Sequence, residues 1–518
     1  MNPPRTLVRT ALAAVGGVGV AFGFAPFDQL LLLLSGLALT IVALRGASWR
    51  AGAWLGLVFG IAFLTLLVSW VHVLGVGVLF ALVAIQVPFY VFFGAAFATV
   101  SRAAWWPLWG ATLWVATEFL RSNIPFGGFP WGRLAFATVG SPLESYARWI
   151  GVPALSGIVF VAAAVIAAVV MERRARTLAT AVVALVALFA VGQLLPTGLA
   201  DPGRTLQVTI VQGGVPGNGA DGMGQQRQVL ANHVRATEEL AREVDAGRVA
   251  RPDLVLWPEN ASDIDPLADP QAREQIDTVT KALGAPVLVG AILDGPRPGT
   301  ARNVGIAWDP RTGPGETYDK RHLVPYGEYV PFRAMASNLV PFVTEQIPRD
   351  MLAGNKPGVV DIGETTIGDM MCFDVVFDNL ARDVVMGGAQ ILVVQTNNAT
   401  YLGTSQPEQQ WQIARMRAIE AGRQIAVPST NGVSGIADGN GDTVAKSESG
   451  RAQIISEPIR TAAGITWGTR FGGWIEYALS AVAFLGLLVA ARDRRRGRQS
   501  AVKVDAGPRV VDHQEASP

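Results

Sequence analysis

Thr365-Thr366-Ile367-Gly368-Asp369-Met370-Met371-Cys372-Phe373-Asp374 runs from a β-like stretch straight into the only cysteine of a 518-residue chain. Two other stretches have the same form. Leu254-Val255-Leu256-Trp257-Pro258-Glu259 is a buried-strand pattern ending in a carboxylate, and Tyr318-Asp319-Lys320 brings an ammonium. Singly, each has a bland explanation: a small core thiol, a turn residue, a solvated surface charge. Their joint occurrence, each at the exit of a strand-like run, favours a thiol nucleophile with its own base and its own positive charge.

Around them, residues 200–465 read as a soluble α/β chain. Leu206-Gln207-Val208-Thr209-Ile210-Val211-Gln212 alternates as a strand and stops at Gly213-Gly214. A helix follows with Leu230, Val234, Ala241 and Val244 on one face, ending at Gly247. Strands are predicted at 253–257, 286–293, 304–308, 365–371, 391–395 and 424–428, with a helix over 408–421 closed by Gly422. Asp438-Gly439-Asn440-Gly441 reads as a hairpin turn. Continuous apolar strands alternating with helices imply a sheet covered by helices.

The rest of the chain is different. Half of all residues are hydrophobic, 16% are charged, and the mean hydropathy is +0.33, too apolar for an ordinary soluble enzyme. A bilayer core needs about 20 apolar residues per helix. Spans are read near 7–25, 29–44, 53–72, 76–99, 105–120, 151–171, 178–195 and 474–491. The organisation expected is a membrane domain over 1–196 with about seven helices, an outer catalytic domain over 197–465, a last transmembrane helix over 466–491, and a cytoplasmic, disordered tail over 492–518. Arg5, Arg9, Arg45, Arg50, Arg102, Arg173, Arg174, Arg176 and the cluster at 492–498 fall on one side if both termini are cytoplasmic. The multi-pass protein then sits in the cytoplasmic membrane with its α/β domain on the extracytoplasmic face. The loop Asn123-Ile124-Pro125-Phe126-Gly127-Gly128-Phe129-Pro130-Trp131 reads equally as an interfacial anchor or a lipid-binding loop, and Glu118 with Arg121 as an interfacial ion pair.

A net charge of +1 without a basic face gives no sign of a nucleic-acid partner. One cysteine excludes an internal disulfide. The four scattered histidines lack ligand spacing, so no metal or cofactor is expected.

A free thiol is only a few per cent thiolate at neutral pH and has to be activated. A lysine ammonium about 4 Å away is worth on the order of 4 kcal/mol at an effective dielectric near 20, roughly three pKa units downward. A glutamate can take the thiol proton and return it, and the lysine can face the oxyanion of a tetrahedral intermediate.

The order Glu259, Lys320, Cys372 and its surroundings resemble the carbon–nitrogen hydrolase (nitrilase) superfamily and, within it, the apolipoprotein N-acyltransferases. The resemblance is carried by Ala25-Pro26-Phe27, Gly128-Phe129-Pro130-Trp131, Ile210-Val211-Gln212-Gly213, Leu256-Trp257-Pro258-Glu259 and Ala414-Arg415-Met416-Arg417-Ala418-Ile419-Glu420. The most specific piece is Lys320-Arg321-His322-Leu323-Val324-Pro325-Tyr326-Gly327-Glu328-Tyr329-Val330-Pro331. It implies a membrane helical bundle joined to an extracytoplasmic α-β-β-α sandwich. It also implies Cys372 as nucleophile, Glu259 as general base, Lys320 as oxyanion stabiliser, and Glu328, Asp374 and Phe373 in support. Asp374 stands where the family usually has glutamate and Phe373 where it usually has tyrosine. The segment 216–222 lacks the tryptophan usual on a mobile loop there, and Asn398-Ala399-Thr400-Tyr401-Leu402-Gly403 departs from an aromatic motif for which Tyr401 is a substitute.

The reaction implied is a two-step transfer: an acyl chain passes from a membrane phospholipid to Cys372, then to the α-amine of a diacylglyceryl-cysteine at a lipoprotein N-terminus. The partners expected are phospholipid, diacylated apolipoprotein and membrane lipid, with the chain acting as a monomer. The Pro- and aromatic-rich stretch after Lys320 is read as an arm at the bilayer interface, with Tyr326, Phe332, Phe342, Tyr401 and Trp131 as candidates for lipid access. Two rival readings remain: a membrane-tethered amidase or nitrilase acting on a small C–N substrate, and a transporter carrying a dead hydrolase domain.

Overall fold

A computed structural model describes residues 3–215, 227–334 and 347–505, with side chains for 5–215, 227–334 and 347–492. The seven N-terminal apolar runs form helices α1 (Pro3–Ala21), α2 (Leu30–Leu44), α3 (Trp49–Leu67), α4 (Val76–Val100), α5 (Trp106–Asn123), α6 (Ala147–Glu172) and α7 (Ala175–Leu194). Among the described residues, five helices are long and apolar enough to cross a membrane: those at 49–67, 76–100, 144–172, 175–194 and 467–492. α2 is apolar but spans only 15 residues. α1 carries Arg5 and Arg9, and α5 carries Glu118 and Arg121.

Small residues let these helices approach closely, the way apolar helices pack where water supplies no driving force. A Cβ on Gly56 of α3 would stand 2.1 Å from the Tyr90 carbonyl oxygen of α4. Phe59, Tyr90, Phe93, Trp114 and Phe160 fill the middle of the bundle, mostly edge to face.

The α/β part has two sheets. The first has the order β13 (Gln453–Ala462), β1 (Pro202–Gln212), β2 (Leu254–Leu256), β3 (Val287–Asp294), β4 (Thr300–Asp309), β5 (Gly313–Asp319), with β6 (Asp350–Met351) beside β4. The second has the order β12 (Thr443–Lys446), β11 (Gly435–Ala437), β10 (Ile425–Val427), β9 (Ile391–Gln395), β8 (Thr365–Met371), β7 (Val359–Ile362). Strand parity sorts the side chains into layers. Leu254 and Leu256 meet Ile367, Met371, Ile391 and Val393 between the sheets. Val255 and Trp257 face α8 (Gln228–Asp245) and α9 (Pro270–Leu283). On the far side Met370, Leu392 and Val394 join the helical core through α10 (Asp378–Met386) and α11 (Gln406–Ala421). The result is an α-β-β-α sandwich whose last helical layer is continuous with the membrane bundle.

The hairpin turn at 438–441 joins β11 to β12, and Gly422 ends α11 with φ 60°. The final helix, α12, runs Trp467–Asp505. Residues 492–505, read from composition as disordered tail, are therefore helical, and 506–518 lie outside the described residues. The expected Glu118–Arg121 pair is replaced by other partners. Arg121 donates to the carbonyls of Phe129 (2.9 Å) and Trp131 (2.6 Å). Glu118 accepts from Trp114 Nε1 (2.8 Å) and lies 3.8 Å from Arg133.

Candidate active site

Glu259, Lys320 and Cys372 arrive from the carboxyl ends of β2, β5 and β8. β2 and β3 are parallel, and β5 runs antiparallel to β4, itself antiparallel to β3. All of the first sheet's contributions therefore emerge at one edge, the usual position for chemistry in such sheets. Lys320 Nζ donates to Glu259 Oε1 at 2.8 Å and to Glu328 Oε1 at 2.9 Å. Asn303 Nδ2, from the middle of β4, bridges the same two oxygens at 2.7 and 3.0 Å. Glu259 Oε2 accepts from the Asn397 backbone N–H at 2.9 Å, and Glu328 Oε2 from that of Val324 at 2.8 Å. Lysine and both carboxylates are thus locked in one buried cluster, which fixes orientation before any substrate arrives.

Cys372 opens a short 3₁₀ turn, Cys372–Val376, and takes φ 48°. A left-handed non-glycine residue costs about 1–2 kcal/mol, a strain that recurs where a side chain must be thrown out of a strand. Asp374 anchors the turn. Its Oδ2 accepts from Tyr318 Oη (2.7 Å) and Met371 N–H (3.1 Å), and its Oδ1 from His322 N–H (3.0 Å). One carboxylate therefore ties the end of β5, the residues after Lys320 and the nucleophile turn together. Burial, against the pull of Lys320, raises its pKa to about 6.

The electrostatics differ from the sequence expectation of a lysine-depressed thiol. Burial first, then Glu259, push the Cys372 thiol up to about 12 against Lys320. Burial is the largest cause, and an ammonium shared between two carboxylates does not offset it. Burial alone would lower the Lys320 pKa, but Glu259 and Glu328 override it and hold the ammonium well above its usual range. The resting site is thiol, carboxylate and ammonium, not a preformed thiolate.

Cys372 is half-buried and stands at the wall of an apolar cavity of about 190 Å³. One side is α4 and the turn before it (Trp70, Val78, Leu82, Ile85), and the other is the 125–131 loop with Val324-Pro325-Tyr326, Phe373 and Tyr401. Of the access candidates, Trp131, Tyr326 and Tyr401 line this space. Phe332 stands behind it against Phe126 at 6.1 Å. Phe342 lies outside the described residues, as does the tryptophan-less segment 216–222. Phe373 stacks on Phe129 at 5.8 Å, so it joins the nucleophile turn to the aromatic loop by ring contact.

A family model described as the apolipoprotein N-acyltransferase N-terminal domain matches residues 16–165. A carbon-nitrogen hydrolase model matches residues 207–469. The apolipoprotein N-acyltransferase of Mycolicibacterium smegmatis is 35% identical over 92% of this chain and 84% of its own length. The chain belongs to the apolipoprotein N-acyltransferase family. More distant members bearing that name match over nearly the same span: Vibrio vulnificus at 26% identity (91% and 95% of the two chains) and Methylococcus capsulatus at 28% (94% and 98%).

For this member of the acyltransferase family, sequence reading missed three parts of the site. Asn303 sits mid-strand in an ordinary alternating pattern. Trp70 and the cavity-facing side of α4 belong to apolar runs in which a wall residue looks like any lipid-facing one. Gln406, which lines the cavity, lies on a helix whose glutamines suggest a solvated face, although Gln406, Gln409, Gln410 and Gln412 are all buried.

Proposed function

We propose that this protein transfers an acyl chain from a membrane phospholipid, through a thioester on Cys372, to the α-amino group of a diacylglyceryl-cysteine at a lipoprotein N-terminus. The observation that carries the reading is the placement of the thiol. The nucleophile of a hydrolase-like sandwich opens onto an apolar cavity walled by an apolar helix long enough to span a bilayer. A small soluble amide has no use for such a wall, which disfavours a tethered amidase. A transporter has no use for a base, an ammonium and a strained thiol at one sheet edge.

In the first half-reaction Glu259 takes the thiol proton as Sγ bonds to the ester carbonyl carbon. Lys320 Nζ has two of its three hydrogens committed to carboxylates, leaving the third for the carbonyl oxygen as it becomes anionic. The tetrahedral intermediate expels the lysophospholipid alkoxide, which receives the proton from Glu259 and leaves the thioester. In the second half the amine attacks that carbonyl, Glu259 removes a proton from nitrogen, and the thiol departs with it, leaving an amide. With the thiol normally protonated, proton removal and attack coincide, so no reactive thiolate stands idle at the membrane.

The test is N-terminal mass analysis of a synthetic diacylated lipopeptide incubated with phospholipid vesicles and the purified protein. The expected product is heavier by one acyl chain, as an amide on the α-nitrogen. Release of free fatty acid with the lipopeptide unchanged would replace transfer by hydrolysis.

The same reading places the α/β domain, residues 197–465, outside the cytoplasmic membrane, and the chain acts as a monomer without nucleic acid. Two features support this orientation. Arg9 and Arg102 both reach the segment after α2, donating to the carbonyls of Arg45 (3.2 Å) and Gly46 (2.8 Å), so the arginine-rich loops share one end of the bundle. The turn after α1 and the 3₁₀ turn after α3 instead touch α11: Ala25 N–H and Gln412 are 3.2 Å apart, and Trp70 Nε1 and Gln409 3.1 Å. Reporter fusions after Pro196 and after Arg498 are expected to read external and cytoplasmic respectively; the reverse pattern would invert the topology.

A further inference from the structure

A second cavity, of about 400 Å³, lies back to back with the one that holds Cys372. Gly127, Pro130 and His322 face it, while Phe126, Phe129 and Val324 of the same two loops line the nucleophile cavity. Phe373 stands at the wall of one and Phe377 at the wall of the other, their rings 5.1 Å apart. The nucleophile turn, Cys372–Val376, thus belongs to the partition between them.

The second cavity is charged. Arg133 is 2% exposed and pairs with Asp378 at 2.8 Å and Glu476 at 2.9 Å, with Glu118 at 3.8 Å. Arg417 pairs with Asp378 at 2.7 Å and Glu420 at 2.6 Å. Two guanidiniums therefore serve four carboxylates, of which Asp378, Glu420 and Glu476 line the cavity. Arg382 lines it too, four residues beyond Asp378 on α10, a spacing of about 5–6 Å at which the two would ordinarily pair. Both Asp378 oxygens are taken by the other arginines instead. Among the described residues Arg382 has no ion pair, and its buried Nε has no hydrogen-bond partner; the buried Nε of Arg133 is likewise unmatched. One cavity thus holds surplus negative charge and, one helical turn away, a free cation.

Its mouth lies at headgroup level. Trp474 and Tyr477, in the first turns of the apolar span of α12, line the cavity yet are 66% and 55% exposed, as aromatic side chains are where a membrane meets water. Phe484 and Leu488 continue the stripe of Tyr477 at i+7 and i+11 and are exposed as well. Apolar surface therefore runs from the mouth along the span.

We propose that this cavity is a second lipid site, separate from the nucleophile cavity, which takes the headgroup of a zwitterionic aminophospholipid. The ammonium meets Glu476 and Glu420, the phosphate meets Arg382, and the acyl chains lie along α12. A headgroup seated there braces the partition from the side opposite Cys372. A purely anionic headgroup is disfavoured, because it would face three carboxylates with one free cation. The site rests on the chain's lying in a bilayer and not on the transfer chemistry.

The experiment uses the full-length protein in detergent with ether-linked phosphatidylethanolamine, which has no ester for Cys372 to attack. Arg382→Gln removes the free cation from a side chain that has no ion-pair partner to lose. Gly473→Trp fills the cavity, since a Cβ on Gly473, a lining residue, meets nothing within 4 Å. Native mass spectrometry counts the lipids retained, with the thermal midpoint in detergent alone as the folding control. Wild type is expected to retain one ether lipid more than either variant, the affinity of that site falling about tenfold or more on loss of a charged hydrogen bond. Ether-linked phosphatidylglycerol, with a phosphate but no ammonium, is expected to be retained equally by all three proteins, and soluble glycerophosphoethanolamine not to displace the bound lipid. Retention of phosphatidylethanolamine within about twofold of wild type in either folded variant would overturn the site. A phosphatidylglycerol count that drops in the variants by the same amount would overturn the aminophospholipid assignment, and displacement by glycerophosphoethanolamine would overturn the membrane source.

Discussion

Cys372→Ala forms no acyl-enzyme, and its phospholipid-to-lipopeptide transfer falls by on the order of 10⁴-fold or more, the range seen when a covalent nucleophile is removed. Cys372→Ser retains little activity. A serine hydroxyl is harder to ionise than a thiol, and the site supplies a single carboxylate base beside a cluster that is already net negative. The check is single-turnover transfer followed by mass spectrometry, with unchanged thermal midpoints as the control for folding. A Cys372→Ala variant that transfers at a comparable rate would end the covalent mechanism.

The second large effect is at Lys320. Its side chain is 2% exposed and paired with carboxylates on two different loops. Removing one partner of such a buried cluster typically costs about 3–5 kcal/mol, because the remaining charges are left unmatched. In Lys320→Ala, Glu259 and Glu328 face each other without a cation, both hydrogen-bonded to Asn303. One of them takes up a proton, and the general base is lost along with the oxyanion partner. The expected outcome is a thermal midpoint lower by roughly 10 °C and a thioester-forming step slower by at least about 10³-fold. Glu259→Gln keeps the lysine's neighbours at similar volume but deprives both half-reactions of their base. Comparing the half-reactions separates the roles: Lys320→Ala acts mainly on thioester formation, whereas Glu259→Gln slows both. Identical losses in both steps for both variants would contradict that division.

Much of this site was legible from the order of residues along the chain. Glu259, Lys320 and Cys372 each stand just past a strand; β2 announces itself by its apolar run, whereas β5, Gly313-Pro314-Gly315-Glu316-Thr317-Tyr318-Asp319, carries no such pattern. Their convergence follows from sheets that place those ends at one edge. The layered fold was legible for the same reason, in β1, β3, β8 and β9 above all. Short strands such as β10 to β12 hold few residues each and offer too little pattern, although the Asp-Gly-Asn-Gly turn between β11 and β12 stood out. What stayed hidden was stoichiometry. The sequence does not show that one ammonium serves two carboxylates 61 and 8 residues away, nor the burial that, with Glu259, raises the thiol pKa against that ammonium. Burial on all sides was also hidden: α11 has weak amphipathic contrast because it is enclosed between the second sheet and the bundle, so its glutamines turn inward to Asn398 and Trp131 rather than outward to water.

Buried charge also connects the two halves of the molecule. Arg133, from the loop after α5, pairs with Asp378 of α10 at 2.8 Å and Glu476 of α12 at 2.9 Å. Arg417 of α11 pairs with Asp378 at 2.7 Å and donates to the carbonyls of Val375 and Val376, at the end of the nucleophile turn, both at 2.9 Å. The Cys372 turn is therefore held from the membrane side as well as by Asp374, consistent with a thiol that must meet a lipid at a fixed depth.

The central claim is that a phospholipid acyl chain rests on Cys372 between two half-reactions. The most direct measurement mixes the wild-type protein with phospholipid vesicles in the absence of acceptor and determines the mass of the peptide containing Cys372. The expected peptide is heavier by one acyl chain, loses it to hydroxylamine, and returns to the free thiol when diacylated lipopeptide is added, with the acyl chain recovered as amide. An unmodified Cys372 peptide in a preparation that still makes triacylated product would contradict the account.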